Sequence, residues 1–595
     1  MARRHAAVAA TVLTLGCLTA IGTGTAGAGT DSGGGAVQLG ATPPMGWNSW
    51  NSFGRDISDD LIRRQADAMV ASGMRDAGYE YLTIDGGWRA PDRDAEGNLV
   101  THPQRFPNGM KAVADYVHAK GLKLGVHQPM GMTDCGRESP GTQSAPGGEA
   151  QDAALFASWG VDYVKYDRCT FDVAPTTTPP APDLDRIVVR RADGVVGSYE
   201  AEGSVLSGRA VVSPCAPMQG MPPGRGSCSG DRVAGIGIDR GSLRLDAVTV
   251  PEDGDYQLDL QFVLPNYGQA RGYMNTTYHG MRADVQVGDS TPTVVSVPFD
   301  SPDITAGFPK VSAAMNNGWD TTFTRTITVH LRAGANSITV SDDNSIEEAL
   351  RQGAVRMGDA LRDTGRPMFY SLSGQSRPWL WARGVGHMWR TNGDIGNCWD
   401  CGTGNGVLQA IDRQAPLHAA AGPGGFNNPD MLMVGVTAVL RDGYPIPGTT
   451  REMTPAEQRS HFSMWSLLAA PLIAGNDMTT MSGATREVLT NPEVIAVDQD
   501  SLGTQGVRVR DDGDLEVWVK PLADGSRAVV LLNRGSAAST ITTSAAEIGL
   551  PPTPTYLVRD LWAHRQSATK GSIGATVPSH GVVMVRVTPM GTFED

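Results

Sequence analysis

Tyr79–Asp85, YEYLTID, is a β-rich run that ends on a carboxylate, and the segments around it decide the fold. Ahead of it, Leu61–Gly73 carries the apolar period of a helix. Behind it come a second helical stretch, Lys111–Lys120, and two further strand-like runs, Leu122–His127 (LKLGVH) and Val161–Asp167 (VDYVKYD). Strands alternating with helix-length segments predict a parallel sheet covered by helices. Working outward, Met45–Trp47 supplies a first strand, and Met368–Leu372, His387–Ile395, Met431–Val434 and Pro471–Ile473 supply four later ones. The total is the number that closes a (β/α)8 TIM barrel, so the expected fold class is α/β.

The alternation breaks between about Thr176 and Asn344. PTTTPPAP at 175–182 reads as a linker, and Ser242–Val250, Tyr256–Leu264, Arg325–Leu331 and Ser337–Ser341 then follow as short strands with no helical period. After Gln505 the chain is β-rich to its end, through LEVWVK, AVVLLN, YLVRDLW and GVVMVRV. The 595 residues therefore divide into a barrel over 40–178 and 345–505, an inserted β-sandwich over 179–344, and a C-terminal antiparallel β-sandwich over 506–595.

Residues 1–28 read as a secretory signal: Arg3 and Arg4, an apolar run from Ala6 to Ile21, and the small-residue pattern Ala26-Gly27-Ala28. A twin-arginine signal or lipidation at Cys17 fits the flanking residues poorly. The expected location is secreted, extracellular, and no later stretch is long and apolar enough to span a bilayer. Cys17 leaves with the signal, and six of the seven cysteines remain, an even number in an oxidising compartment. Proximity favours pairing Cys135 with Cys169, Cys215 with Cys228 and Cys398 with Cys401. A redox or zinc role for the last pair is the weaker alternative, since no second CxxC accompanies it.

The chain carries 63 acidic against 49 basic residues, a net charge of −14. That deficit of Lys and Arg argues against nucleic-acid partners and against anionic membrane. Gly (73), Pro (38) and Trp (12) make the chain turn-rich and Trp-rich, in keeping with loops that hold weakly charged planar ligands such as sugars.

Active sites of such barrels lie at the C-terminal ends of the strands. There the sequence places Asp85 on the second strand, Asp167 on the fourth, Asp394 on the sixth and Asp430 at the seventh. Any one of these could cap a helix or pair with a surface cation. Four together suit glycosidic bond cleavage, which uses two carboxylates flanking the scissile bond.

Five motifs carry a family resemblance: TPPMGWNSWNSFG (Thr42–Gly54), DAGYEYLTIDGGW (Asp76–Trp88), HAKGLKLGVH (His118–His127), FASWGVDYVKYDRC (Phe156–Cys169) and AGPGGFNNPDML (Ala421–Leu432). Together they resemble glycoside hydrolase family 27, the α-galactosidase (melibiase) and α-N-acetylgalactosaminidase family. The resemblance implies a retaining exo-glycosidase acting on carbohydrate, with no cofactor for catalysis. It implies Asp167 in KYDRC as nucleophile and Asp394 in WRTNGDI as general acid/base, with carboxyl groups roughly 5 to 5.5 Å apart if stereochemistry is retained. It also implies that Trp50, Asp85, Lys165, Arg390 and Asp430 line the sugar pocket. His127 stands where the family usually has Tyr, and either touches ligand or is a structural histidine.

Three departures bear on the substrate. Gly86-Gly87 follows Asp85 where the family has a second acid and a cysteine. Ser371-Leu372-Ser373-Gly374 replaces a Cys-Glu-Trp pattern, and Asn428-Pro429-Asp430 replaces DPD. An α-galactosidase is the leading expectation; a β-L-arabinopyranosidase or an isomaltose-releasing dextranase on the same catalytic pair is the alternative, and a catalytically silent carbohydrate-binding protein is the reading from another class. The insertion, opening with YEAEGSVLSG (Tyr199–Gly208), resembles carbohydrate-binding modules of family 35. That resemblance implies a structural calcium held by Glu200 and Glu202, oxygen ligands suited to a hard cation, and makes Tyr267 and Trp319 candidate sugar platforms.

Overall fold

The computed structural model describes residues 39–170, 181–215, 228, 230–264, 281–297, 321–342, 345–375, 377–402, 405–437, 440–441, 444–445 and 452–590. Residues 1–28, expected to be a signal, most of the PTTTPPAP linker, Tyr267 and Trp319 lie outside the described residues. No helix among the described residues is long and apolar enough to cross a membrane.

Eight strands form the central sheet: β1 (Met45–Asn48), β2 (Tyr81–Ile84), β3 (Lys123–Pro129), β4 (Tyr163–Asp167), β5 (Phe369–Ser373), β6 (Met388–Arg390), β7 (Phe426–Asn428) and β8 (Leu472–Ala474). Their spatial order is β7-β6-β5-β4-β3-β2-β1-β8, parallel throughout. The sheet curls until its ends meet: Leu432, beyond β7, pairs parallel with Ala474 and donates its N–H to Ile473 O at 2.8 Å. This is consistent with the expected (β/α)8 arrangement.

Alternation along the strands explains both layers of packing. In β4, Val164 and Tyr166 point to the helices and join the main core, while Tyr163, Lys165 and Asp167 share the inner face. Tyr163 packs there with Tyr81, Phe369, Met388 and Phe426, each at or near the start of its strand. Its ring stacks on Phe369 with centroids 5.5 Å apart. The interior is thus an aromatic floor at the N-terminal end of the strands, and the polar residues of the same face are left at the C-terminal rim.

The flanking helices start where their capping residues allow. Ser58 Oγ accepts from Leu61 N ahead of the helix Asp59–Ala71, whose first turn carries Asp59 and Asp60, and Gly73 beyond it adopts φ +83°. Thr454 and Glu457 form a capping box on Pro455–Leu467, with Pro455 in the first turn.

Two sequence expectations shift. The sixth strand ends at Arg390 and not at Ile395: Thr391 Oγ1 donates to Gln414 Oε1, and the Asn392 side chain bonds within the loop, diverting the chain. Asp394 therefore stands on a loop. The seventh strand is Phe426–Asn428 and not Met431–Val434, because Pro429 brings no N–H and Asp430 adopts φ +92°. The apolar run Met431–Val434 packs into the core instead, with Met433 N–H on His461 Nε2 at 3.0 Å.

Between β4 and β5 the chain builds two antiparallel sheets, one of five and one of six strands, around a separate apolar core including Leu258, Leu260, Phe262, Ile338 and Val340. Buried charges join this region to the central sheet. Arg377, just past β5, forks onto Glu347 at 2.7 and 2.9 Å and reaches Asp183 at 2.5 Å, and Asp183 also takes Arg232 at 2.8 Å. Such a network fixes how two parts register more than it adds net stability. The C-terminal β-sandwich has a six-stranded and a two-stranded sheet around Val517, Val529, Leu531, Ile541 and Val585. The three cysteine pairs form as the sequence suggests: Cys135–Cys169, Cys215–Cys228 and Cys398–Cys401.

Candidate active site

The inner-face residues of adjacent strands sit side by side at the C-terminal rim. Register pairs His127 with Lys165 and Asp167 with Ser373, so β3, β4 and β5 present a histidine, a lysine, a carboxylate and a serine together. Lys165 Nζ lies 2.8 Å from Asp85 Oδ2 and 4.0 Å from Asp167 Oδ2. Asn48, on the inner face of β1, donates its amide to Asp85 Oδ2 at 2.9 Å, and His127 Nε2 lies 3.3 Å from Asp167 Oδ2.

This arrangement fixes the ionisation of both carboxylates. Burial would raise Asp85, but Lys165, His127 and Asn48 hold it well below the usual carboxylate range. Burial also opposes charge on Asp167; the hydrogen bond from His127 and the charge of Lys165 prevail and push it down to about 2. Lys165 is raised against its own burial by Asp85 and Asp167. Asp167 is thus an ionised carboxylate at the rim, as a nucleophile must be.

The second group of residues centres on Arg390, at the end of β6. Its Nη2 donates to Asp394 Oδ1 at 3.2 Å and its Nη1 lies 3.0 Å from Asp430 Oδ1. Burial disfavours the guanidinium charge, but Asp430, Asp394 and Asp167 together raise Arg390, so all three carboxylates act on one cation. Asp430 also accepts Ile395 N–H at 2.8 Å, and burial raises its own carboxyl despite Arg390. The side chain of Asp394 is 85% exposed, whereas that of Asp430 is 9% exposed. Asp394 is therefore free to meet solvent and ligand, while Asp430 tethers the Asp394 loop.

Trp50 is half-buried. A Cβ built on Gly86 would lie 3.3 Å from Trp50 Cζ3, which places the ring over the position where the family carries its second acid. Trp47 is fully buried and bonds Asn476 O through its indole at 2.7 Å, a core role. Gly87 adopts φ +98° against Arg55 O, where a Cβ would come within 2.5 Å, so the family's cysteine has no room there.

Among the described residues two groupings offer metal-ligand atoms, but each draws on sulfur already bonded. His127 and Asp167 cluster with Cys169, which is joined to Cys135, and Asp185 clusters with Cys215 and Cys228, which are joined to each other. With the sulfurs bonded, neither group retains three free ligand atoms. In the β-rich region Glu200 lies 3.6 Å from Arg186, and Glu202 Oε2 is buried with no hydrogen-bond partner.

The model described as alpha galactosidase A matches residues 42–200 and 339–500, and the alpha galactosidase C-terminal beta sandwich domain matches 512–587. The chain belongs to the α-galactosidase family of glycoside hydrolases, family 27. It is a glycoside hydrolase. The α-galactosidase of Cyamopsis tetragonoloba is 32% identical over 93% of this chain and 87% of its own. Alpha-galactosidase A of Cellvibrio japonicus is 31% identical over 93% of both. The crystal structure of alpha-galactosidase I from Mortierella vinacea shares the fold, with a TM-score of 0.58 at 24% identity over 93% of this chain and 99% of that one. The family match pauses between 200 and 339, the stretch that builds the separate β-rich core.

Sequence reasoning missed Asn48, Gly374 and the residues that hold the Asp394 loop. Asn48 was signalled by its place on the inner face of β1, two residues after Gly46. Gly374 has φ +79°, and a Cβ there would meet Arg168 Cβ at 2.7 Å and Asp167 Oδ1 at 3.0 Å. No local pattern marks that contact.

Proposed function

We propose that this chain is a secreted, retaining exo-glycosidase that releases terminal α-galactose from oligo- or polysaccharides by double displacement. The Asp167 carboxylate attacks the anomeric carbon while Asp394 gives its proton to the departing glycosidic oxygen. Asp394 then takes a proton from water, which attacks the same carbon and frees Asp167. The observation that carries this reading is the ionised Asp167 at the rim, held by His127 and Lys165 and sharing the field of Arg390 with Asp394. Lys165, Asp85, Arg390 and Trp50 would bind hydroxyls and one face of the sugar. No metal or organic cofactor enters these steps, because two carboxylates and water suffice.

Hydrolysis of a p-nitrophenyl α-galactoside by the wild type, and its loss in Asp167→Asn, tests the reading; release from no glycoside would reject it. Gly86 and Ser373, which lack the family's hydroxyl-gripping acids, favour a second reading on the same pair, a β-L-arabinopyranosidase or an isomaltose-releasing dextranase. β-L-Arabinopyranoside and dextran belong in the same panel for that reason.

The β-rich region between β4 and β5 is proposed to bind carbohydrate and hold the enzyme on polymeric substrate. Glu200 and Glu202 would hold a structural calcium there. The buried, unpartnered Oε2 of Glu202 fits an oxygen-ligand site, since an orphaned buried carboxylate oxygen is costly without a cation or donor. Secretion is proposed from residues 1–28, and the disulfides accord with an oxidising compartment. The acidic balance of the chain leaves nucleic acid and anionic membrane outside the proposed partners.

A further inference from the structure

The side chain of Asp394 is largely in solvent, and Arg390 at 3.2 Å is its one hydrogen-bonding contact among the described residues. Packing does not fix such a carboxyl, so its place is set by the backbone beneath it. The carbonyls of that backbone are held by the Asn405 side chain. Asn405 Nδ2 donates to Gly393 O at 2.6 Å and to Asp394 O at 3.0 Å. Asn405 Oδ1 accepts from Asn392 Nδ2 at 2.7 Å and from Arg413 Nη1 at 2.5 Å. Its main-chain oxygen accepts Gly396 N–H at 2.6 Å. Two donors and two acceptor positions are all a carboxamide has, and Asn405 uses three within this loop and the fourth on Arg413 of the following helix.

Farther along, Cys398–Cys401 bridges a four-residue turn, and the start of the helix Val407–Gln414 is pinned to it where Val407 N–H meets Cys398 O at 3.1 Å and Leu408 N–H meets Trp399 O at 3.0 Å. On the far side, Ile395 N–H is held by Asp430. We propose that Asn405 is a positioning residue for Asp394: its two amide donors, on Gly393 O and Asp394 O, fix the backbone that carries the general acid/base. This rests on the assignment of Asp394 given above.

Acid assistance matters in proportion to the basicity of the departing oxygen. A sugar or alkyl alkoxide must be protonated as it leaves, whereas 2,4-dinitrophenolate departs unaided. Displacing Asp394 should therefore be felt selectively. Asn405→Asp is the sharpest variant, because it keeps the acceptor for Asn392 and Arg413 and replaces the donors to Gly393 and Asp394 with a carboxylate oxygen that the two carbonyls repel. On two glycosides of whichever glycone is turned over, kcat/KM for the alkyl glycoside should fall about tenfold or more and that for the dinitrophenyl glycoside by less than about threefold. The ratio of the two is independent of how much enzyme is folded. An equal loss on both substrates, or no loss, overturns the proposal. Should Asn405→Asp fail to accumulate, Asn405→Ala, which also removes both donors, is read by the same ratio, and an unchanged ratio overturns it likewise. Asp394→Ala separates the two claims: selective loss there with none in Asn405→Asp rejects only the role of Asn405, while no selectivity in Asp394→Ala rejects the acid/base assignment and this inference with it.

Discussion

His127 Nε2 stands 3.3 Å from Asp167 Oδ2, so the residue that replaces the family's usual tyrosine touches the proposed nucleophile directly. Its ring is nearly buried, and its backbone oxygen is clasped by Trp88 Nε1 at 3.0 Å and Arg89 Nη1 at 2.8 Å. The ring presents Nε2 to the carboxylate, while its buried Nδ1 has no hydrogen-bond partner among the described residues.

His127→Phe removes the largest influence that lowers Asp167. The carboxyl then rises from about 2 toward its ordinary value, and the acidic limb of the kcat/KM profile moves to higher pH. The loss in kcat/KM should be greatest at acid pH, where Asp167 becomes protonated in the variant, and small at neutral pH, where it stays ionised in both proteins. His127→Tyr should recover part of both effects. A pH–rate profile unchanged in His127→Phe would show that the contact does not tune the nucleophile.

Lys165→Met leaves Asp85 buried without its cation, a change that typically costs about 3–5 kcal/mol. Asp85 is held below its unfolded value, so its contribution is present above about pH 4 and is lost as pH falls through the folded value. Lys165 is held above its unfolded value, so its contribution is present below about pH 10 and is lost as pH rises through the folded value. The difference in unfolding free energy between wild type and Lys165→Met should be greatest between those limits. Urea titrations at pH 3, 7 and 11 check this, and an equal difference at all three would contradict it.

Gly374→Ala puts a methyl group 3.0 Å from Asp167 Oδ1 and 2.7 Å from Arg168 Cβ, in a backbone conformation with φ +79°. The left-handed conformation alone costs an alanine about 1–2 kcal/mol. Thermal unfolding should report at least that loss, with kcat reduced more than KM is changed, since the methyl presses on Asp167, the proposed nucleophile. Wild-type stability and kcat in the variant would place the loop farther from Asp167 than described.

The barrel strands were legible because Tyr79–Asp85, Leu122–His127 and Val161–Asp167 alternate inward and outward residues between helical stretches, and their terminal carboxylates follow from that alternation. Lys165 and Asp167 could be placed together because two residues apart on a strand means one face. Asp394 and Asp430 were harder. His387–Ile395 reads as one run, yet the side chains of Thr391 and Asn392 end the strand at Arg390, and Pro429 with the positive φ of Asp430 ends the next one early. Asn405 was invisible, because its partners lie in backbone carbonyls that only the folded loop brings to it.

Cys135–Cys169 joins the loop after β3 to the residue two beyond Asp167, closing a segment with a sequence separation of 34. Loop closure of that length is worth about 3–4 kcal/mol in the chain-entropy model. Cys135→Ser/Cys169→Ser should lower the urea midpoint accordingly, and loss of activity should precede global unfolding. Coincident loss of activity and structure would indicate that the bridge supports the fold and not the nucleophile in particular.

The central claim is that Asp167 forms a covalent bond to the anomeric carbon. Incubation with a 5-fluoro-α-galactosyl fluoride, or the corresponding fluoride of whichever glycone is preferred, followed by proteolysis and mass spectrometry, reads that bond directly. The account predicts a glycosylated peptide containing Lys165–Cys169 with the sugar on Asp167. A label on another carboxylate, or turnover with inversion and no covalent adduct, would contradict it.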